Sequence, residues 1–298
     1  MLNQVNFLRL MKVIKNIPEM QETAEHLRVA GNKIGFVPTM GYLHDGHLSL
    51  MRLARKNCDT LVVSIYVNPT QFAPQEDFKD YPRDFSRDEN LCSEENVDIV
   101  FYPGDPEMYP PDFRTYVISE ELSQTMCGIS RPEHFRGVTT IVSKLFNIIK
   151  PHVAVFGQKD AQQTLIIQRM VEDLNFDTKI LTGPIVREKD GLALSSRNKY
   201  LSETERTKAQ ILYRTLQRAA DLIRNGTHDA LKIKQEMRRL LDESELIRID
   251  YIEIVDYELL RPVTTLADKT LIALAVYIGN VRLIDNILVQ SLNPFIFD

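Results

Sequence analysis

Cysteine is scarce in this chain: Cys58, Cys92 and Cys127 are far apart in sequence, and no C-x-x-C pair occurs. An odd number of separated cysteines argues against a disulfide scaffold or a zinc cluster and fits a reducing compartment. No apolar run approaches the ~20 residues that a membrane span needs, and residues 1–10 lack the apolar core of a secretory signal. We therefore expect a cytoplasmic protein with no membrane partner.

The chain also lacks an excess of positive charge. Its 36 basic and 41 acidic residues give a formal net charge of −5, so we expect no nucleic-acid partner. A small anionic ligand is still compatible with this balance if basic groups gather in one cleft. A length of 298 residues is enough for two domains of roughly 100–200 residues each.

Three common motifs are missing from the sequence. It contains no G-x-x-x-x-G-K-[ST] phosphate loop and no G-x-G-x-x-G dinucleotide fingerprint. It also contains no G-x-S-x-G nucleophile elbow, which disfavours a serine hydrolase. Any nucleotide site must therefore be built from other residues.

Hydrophobic patterning predicts alternating strands and helices in the first part of the chain. Buried strands are predicted at 34–37, 60–67, 97–101, 153–156 and 179–181, and helices at 47–56, 137–149 and 161–174. This alternation indicates an α/β fold with a parallel sheet covered by helices on both faces. Ligands bind such sheets beyond the carboxyl ends of the strands. Polar segments at 38–47, 68–71 and 157–163 follow predicted strands and therefore predict an active-site cleft.

The pattern changes after Gly183-Pro184, which we interpret as a hinge. An S-x-x-E capping box at 202–205 opens a helix predicted to reach about Arg224. A second helix at 229–241 precedes three strands at 249–255, 271–278 and 282–289. We therefore expect two domains, residues 1–183 and a smaller α+β domain of residues 184–298.

The most informative segment is H-D-G-H at 44–47, between a predicted strand and a helix. A helix N-terminus offers free N–H groups and a positive dipole end, which suit a phosphate. His44 and His47 can add hydrogen bonds as charge builds on that phosphate. A turn with two surface histidines is the plainer reading of a bare H-x-x-H. A zinc pair is disfavoured, since no third ligand is evident nearby.

Two further segments offer groups for an anion. Lys159 follows a buried strand, and Asp160 can cap the next helix or accept from a ribose hydroxyl. Ser195, Ser196 and Arg197 form a short run of phosphate-type donors. In isolation, the first segment reads equally as a capped helix with a solvated lysine, and the second as a polar interdomain loop.

Neutral carboxamides follow the second predicted strand, at Asn68 and Gln71. Such groups can bind a hydroxyl and a carboxylate without a positive charge, which would stabilise the carboxylate and make it a weaker nucleophile. A simple turn is an equally good interpretation of these residues. Asp88 fits either an approach to a metal or a charged helix face, and the polar loop at 131–137 fits several roles.

Six segments carry a resemblance to the pantoate–β-alanine ligase family, and their order and spacing make coincidence improbable. They are F-V-P-T-M-G at 36–41, H-D-G-H at 44–47, V-N-P-T-Q at 67–71, R-P-E-H-F-R-G at 131–137, F-G-Q-K-D-A-Q-Q at 156–163 and R-E-K-D-G-L-A-L-S-S-R-N at 187–198. The resemblance extends over about residues 11–287. The H-x-G-H element alone reaches only the wider group of nucleotidyl transferases.

The resemblance implies a Rossmann-like first domain, a second domain that closes over the nucleotide, and a homodimer. It also implies a ligase that uses ATP and magnesium to join pantoate to β-alanine through a pantoyl adenylate; no residue is assigned as a metal ligand, and direct contact of a side chain with magnesium is left open. The catalytic groups would be His44, His47, Lys159, Ser195, Ser196 and Arg197. The ATP site would also include Met40, Gly41, Gly46, Gly157, Asp160, Val186 and Leu194. The substrates would contact Gln71, Gln163 and Asn68.

The chain departs from the family pattern at three positions. Leu194 stands where the family usually has Met, Gln158 where Glu is common, and Glu133 where Gly is common. We expect Leu194 and Gln158 to alter ATP affinity. Two rival functions share the motifs: a nucleotidyl transferase acting on a phosphorylated alcohol, and a non-catalytic nucleotide sensor.

Overall fold

The computed structural model describes residues 11–290 and the backbone of Asn293–Phe295. The expectation about a secretory signal in residues 1–10 lies outside this range. Ten strands are described: β1 (Lys12–Ile14), β2 (Ile34–Thr39), β3 (Thr60–Ile65), β4 (Ile99–Phe101), β5 (Val153–Gly157), β6 (Lys179–Gly183), β7 (Ile247–Asp256), β8 (Lys269–Ile278), β9 (Val281–Gln290) and β10 (Asn293–Phe295).

Ten α-helices connect the strands within the described residues. They are α1 (Ile17–Val29), α2 (Asp45–Arg55), α3 (Phe85–Glu94), α4 (Asp105–Met108), α5 (Cys127–Ser130), α6 (His134–Ile149), α7 (Ala161–Asp173), α8 (Glu203–Ala209), α9 (Ile211–Arg224) and α10 (Ala230–Leu241). None of the helices in the described ranges is long and apolar enough to cross a membrane.

The first six strands form one parallel sheet in the order β1-β4-β3-β2-β5-β6. Strands β2 and β3 are buried along almost their whole length, as expected for apolar strands in a sheet covered on both faces. The strand order reverses direction between β2 and β5. A crevice forms at such a switch point and is the usual place for a ligand.

The last four strands form a separate antiparallel sheet in the order β10-β9-β8-β7. Helices α9 and α10 share a buried apolar core with this sheet, and the first sheet has its own cores on its two faces. The α/β prediction with a smaller α+β part is therefore confirmed. A fourth apolar cluster joins the two parts and includes Phe135 and Ile166 from the first and Leu260 and Leu271 from the second.

Several predicted boundaries were wrong. The long helix after the capping box is interrupted at Gln210, although the box itself forms between Ser202 and Glu205. Helix α6 begins at His134, three residues before the predicted start at Gly137. The sequence did not indicate this start, because the N-cap residue Glu133 is not a usual capping residue and makes no side-chain hydrogen bond to the helix. Strand β1 and helices α1 and α3 are additional to the predicted elements.

Candidate active site

A cavity of about 810 Å³ opens beside the carboxyl ends of β2 and β5 and extends to β9. Its volume lies within the range of small-molecule sites. Fifteen of the sixteen predicted site residues line it: Met40, His44, Gly46, His47, Asn68, Gln71, Gly157, Lys159, Asp160, Gln163, Val186, Leu194, Ser195, Ser196 and Arg197. Their individual roles stay predictions, but one cavity brings these groups together.

The exception is Gly41, which borders a second cavity on the far side of its loop. This loop is held by Asp88, whose carboxylate accepts hydrogen bonds from the backbone of Tyr42 (2.6 Å) and Leu43 (2.7 Å). Gly41 has φ +79°, and a Cβ there would lie 2.9 Å from Asp88 Oδ2. Asp88 is thus buried and holds this loop in place, and its interpretation as part of a charged helix face was wrong.

The two histidines cap helix α2 reciprocally. His44 Nδ1 accepts a hydrogen bond from Gly46 N at 3.2 Å, and His47 Nδ1 accepts one from His44 N at 3.3 Å. Their rings lie 4.1 Å apart, centroid to centroid. Because each Nδ1 is an acceptor, the neutral rings carry their proton on Nε2 and can donate from that atom.

Burial and the nearby Lys159 ammonium keep both rings neutral. Burial, followed by Lys159, lowers the pKa of His44 to about 4. Burial also lowers the pKa of His47 well below its usual range, with His44 and Lys159 adding to the effect. At neutral pH the pair therefore offers two neutral N–H donors and a helix N-terminus to an anion.

His44 makes a testable contribution to the pH dependence of stability. The unfolded chain binds a proton at His44 near pH 6.5, whereas the folded chain does so near pH 4. Stability from neutral His44 is therefore fully present above pH 6.5 and is lost as pH falls towards 4. His44→Asn keeps an N-cap acceptor without titrating, so its melting temperature should fall less than that of the parent chain between pH 7 and 4.5. Identical pH profiles would contradict the lowered pKa.

Lys159 lies in a short 3-10 turn, Gln158–Asp160, between β5 and α7. Its side chain is partly buried, with Nζ 3.8 Å from Asp160 Oδ1. Asp160 occupies the N-cap position of α7 but makes no capping hydrogen bond with its side chain. The capping prediction was therefore wrong for this residue. Asp160 lines the cavity, and its predicted role of accepting a hydrogen bond from a ribose hydroxyl stays a prediction.

The Ser195–Arg197 turn lines the cavity beside the loop that precedes α2. Ser196 Oγ donates a hydrogen bond to the carbonyl of Tyr42 at 3.5 Å, which ties the turn to the loop before α2. The Arg197 guanidinium forms a bidentate pair with Asp77, at 3.0 and 2.9 Å. The sequence predicted an arginine available to a phosphate, whereas the structure gives it a carboxylate partner 120 residues away.

The predicted substrate residues lie further along the cavity. The Asn68 side chain is buried and donates to Gln71 Oε1 (3.0 Å) and to the Gly137 carbonyl (3.1 Å). Its Oδ1 accepts from the Thr70 hydroxyl at 2.9 Å. These bonds give Asn68 the geometry of a positioning residue for Gln71, and its direct contact with substrate stays a prediction.

Gly137 permits the close packing of α6 against this turn. A Cβ at Gly137 would lie 2.6 Å from the backbone N of Gln71, closer than side-chain carbons approach other atoms. The next residues of α6 bring an apolar wall to the cavity, formed by Val138, Ile141 and Val142. The substrate end therefore combines carboxamides with a hydrocarbon surface.

The segment at 131–137 contributes two groups whose roles the sequence left open. Arg131 forms a bidentate pair with Glu76, with both bonds at 2.6 Å. His134 Nδ1 lies 2.9 Å from the carbonyl oxygen of Gln71 and must donate to it, which leaves Nε2 as an acceptor. Burial lowers the pKa of His134 to about 3. The cavity thus has two imidazoles that donate and one that accepts.

The chain is similar to known pantothenate synthetases over nearly its whole length. The family model for pantoate-beta-alanine ligase matches residues 12–288. The pantothenate synthetase of Thermotoga petrophila is 57% identical over 276 residues, covering 93% of this chain and 99% of that protein.

The chain is also similar to solved structures of pantothenate synthetases. The crystal structure of pantothenate synthetase from Thermus thermophilus has a TM-score of 0.89 at 40% identity, covering 95% of this chain and 100% of that one. A pantoate-beta-alanine ligase from Francisella tularensis has a TM-score of 0.77 at 35% identity, covering 93% and 97% of the two chains. That structure is described as complexed with beta-gamma ATP and beta-alanine.

Proposed function

The chain belongs to the pantoate–β-alanine ligase family, and from this membership we propose how its residues carry out the ligation. The enzyme joins pantoate to β-alanine with ATP, through a pantoyl adenylate, and releases AMP and pyrophosphate. One observation carries the residue assignments. Two neutral imidazole donors, Lys159 and the Ser195–Arg197 turn border the same cavity as the carboxamides of Gln71 and Gln163.

In the first step, the carboxylate of pantoate attacks the α-phosphorus of ATP in line, and the bond to pyrophosphate breaks. Catalysis of such a transfer is mainly positioning and charge stabilisation. The Nε2–H groups of His44 and His47 and the ammonium of Lys159 stabilise the charge on the phosphate oxygens. Gln71 and Gln163 hold pantoate, and the apolar wall of α6 packs against its two methyl groups.

In the second step, the amine of β-alanine attacks the acyl carbon, the bond from that carbon to AMP breaks, and the proton lost from the new amide nitrogen passes to water. His134 faces this region with an acceptor nitrogen, because its other nitrogen is bound to the carbonyl of Gln71. Arg131, Arg197 and Arg282 are guanidinium groups of the cavity wall, and each is paired with a carboxylate. The carboxylate of β-alanine has the chemistry to exchange with one of those partners.

The two structural parts, with a boundary at Gly183-Pro184, contribute different groups to the reaction. The first, residues 1–183, supplies the histidines, Lys159 and both glutamines. The second, residues 184–298, closes over the nucleotide and keeps water from the reactive adenylate. The apolar cluster that joins the parts supports a closure with small amplitude, since its side chains are already packed.

Magnesium fits this site as an ion carried on the nucleotide. In residues 11–290, no group of three His, Cys, Asp or Glu side chains has the arrangement of a metal site. Mg²⁺ commonly keeps several waters and binds to phosphates, with few protein ligands. When bound, it neutralises charge on the phosphates. The protein residues then orient the phosphates through Lys159 and the Ser195–Arg197 turn.

The assembly and location of the enzyme also belong to this proposal. The three cysteines are free thiols, which supports a reducing cytoplasm. A homodimer follows from the family resemblance, and the exposed side chains of Tyr116 and Ile118 offer apolar surface for it. Light scattering of the pure protein at micromolar concentration distinguishes a dimer of about twice 34.4 kDa from a monomer.

One assay tests the reaction. The pure protein with ATP, magnesium, D-pantoate and β-alanine should form AMP only when both acids are present. Pantoate alone should support ATP–pyrophosphate exchange. Turnover that ignores β-alanine and requires a phosphorylated alcohol would instead identify a nucleotidyl transferase. Ligand-dependent stabilisation without turnover would identify a sensor.

A further inference from the structure

Strand β9 of the second sheet lies against the turn that carries Lys159. Around Asn286, β9 pairs with β8 on one edge, and its pairing with β10 is confined to residues 288–290. The other edge of β9 at Asn286 therefore faces the first part of the chain. The 3-10 turn Gln158–Asp160 packs there.

Asn286 is bound to this turn by three hydrogen bonds. Its Nδ2 donates to the carbonyl oxygens of Gln158 and Lys159, both at 3.0 Å. Its Oδ1 accepts from Gln158 Nε2 at 2.9 Å. Asn286 is 3% exposed and Gln158 is 4% exposed, so water cannot replace these bonds without rearrangement.

The two carbonyls explain why an amide is needed here. A 3-10 turn of three residues leaves backbone carbonyls without partners in the turn, and a buried carbonyl requires one. Asn286 supplies both hydrogens from a single nitrogen, 127 and 128 residues away in sequence. It thereby fixes the backbone from which the side chain of Lys159 extends into the cavity.

Asp285, which precedes Asn286 on β9, holds the loop that carries Ser195 and Arg197. Asp285 forms a buried bidentate pair with Arg187, at 2.6 and 3.0 Å. Arg187 begins the loop that ends in Ser195 and Arg197, and its Nη1 also donates to the carbonyl of Gly191 at 3.0 Å. Two consecutive residues of β9 therefore hold the two segments that face the phosphates.

We propose that Asn286 is a positioning residue for the adenylation step, which sets the place of Lys159 from across the domain boundary. This inference rests on the role proposed above for Lys159. A displacement of about 1 Å in a catalytic group can reduce a rate about 100-fold. Asn286→Ala should therefore lower the kcat of pantoate-dependent ATP–pyrophosphate exchange about 10- to 100-fold. The KM for pantoate should change less than about twofold, since Gln71 and Gln163 are not held by Asn286.

A double-mutant cycle separates positioning from general structure. Exchange is measured for the parent, Asn286→Ala, Lys159→Met and the double variant. If Asn286 acts through Lys159, adding Asn286→Ala to Lys159→Met changes the rate less than about twofold. Multiplicative losses would overturn the inference about Asn286. Normal exchange by Lys159→Met alone would instead refute the proposed function of Lys159.

Two further variants guard against trivial results. Asn286→Asp is nearly isosteric but points a carboxylate at two carbonyl oxygens, so its kcat should fall at least as far as that of Asn286→Ala. Asn286→Ser replaces Asn286→Ala in the cycle if the alanine variant does not fold. Arg261→Gln is the matched control, because it removes an exposed interdomain ion pair with Glu121 and should leave exchange unchanged. A loss in Arg261→Gln equal to that of Asn286→Ala would contradict a specific role.

Discussion

Replacement of His47 by alanine is expected to lower pantoate-dependent ATP–pyrophosphate exchange by about 100-fold or more, while the fold survives. Loss of one donor to a transition-state oxygen typically has an effect of this order. It corresponds to at least about 2.7 kcal/mol of lost transition-state stabilisation. The measurement is the exchange rate at saturating ATP and pantoate, with far-UV circular dichroism as the test of folding.

The capping role of His47 requires its own control. His47 Nδ1 accepts the backbone N–H of His44, so alanine removes a helix cap as well as a donor. Glutamine at this third position of a helix commonly makes the same capping bond. His47→Gln should therefore restore the melting temperature but leave exchange low. Near-normal exchange in His47→Ala would refute the assignment of His47 to the transition state.

The second large effect is expected for stability, at the buried pair of Asp285 and Arg187. Their side chains are 1% and 7% exposed, and the guanidinium also stacks over the ring of Tyr213 at 4.5 Å. Asp285→Ala leaves a buried guanidinium without its carboxylate, which typically costs about 3–5 kcal/mol. Urea denaturation followed by circular dichroism measures the change in midpoint and slope, since the chain has no tryptophan.

Removal of both charges is the control for this pair. Replacing Asp285 by Leu and Arg187 by Met together removes the unpaired charge and keeps apolar volume. Breaking one partner of a buried pair is generally more harmful than replacing both with apolar residues. The double variant should therefore be more stable than Asp285→Ala. Equal losses of stability in the two proteins would show that packing, and not the uncompensated charge, dominates at this position.

The sequence predicted the layered fold well because its strands are distinct. Strands β3 and β5 are short runs of β-branched and apolar residues that end at polar segments, which is typical of a buried parallel sheet. The exact start of α2 was harder to predict, because histidine is not among the residues that usually cap a helix. His44 takes that position, so the helix begins two residues earlier than its apolar pattern indicates.

The candidate site was predictable as a set of segments but not as a set of contacts. The H-D-G-H segment identified His44 and His47, yet their tautomers depend on backbone geometry. The pairing of Arg197 with Asp77 spans 120 residues, and no local pattern in sequence signals it. The same holds for Asp88, because its role depends on the approach of α3 to the loop before α2.

The long-range contacts of the site also determine when it can exist during synthesis. Ile34 of β2 and His152, just before β5, are 118 residues apart, and Lys159 receives its partner from a strand a further 127 residues along. A ribosome-bound chain that has folded only its first sheet therefore lacks β9 and has an incomplete nucleotide pocket. Parallel pairing of distant strands is slow to form, so the first sheet is itself expected to form late. Because a ligand stabilises only the state that binds it, ATP can stabilise the fold only after β9 has been made and has packed against the turn that carries Lys159.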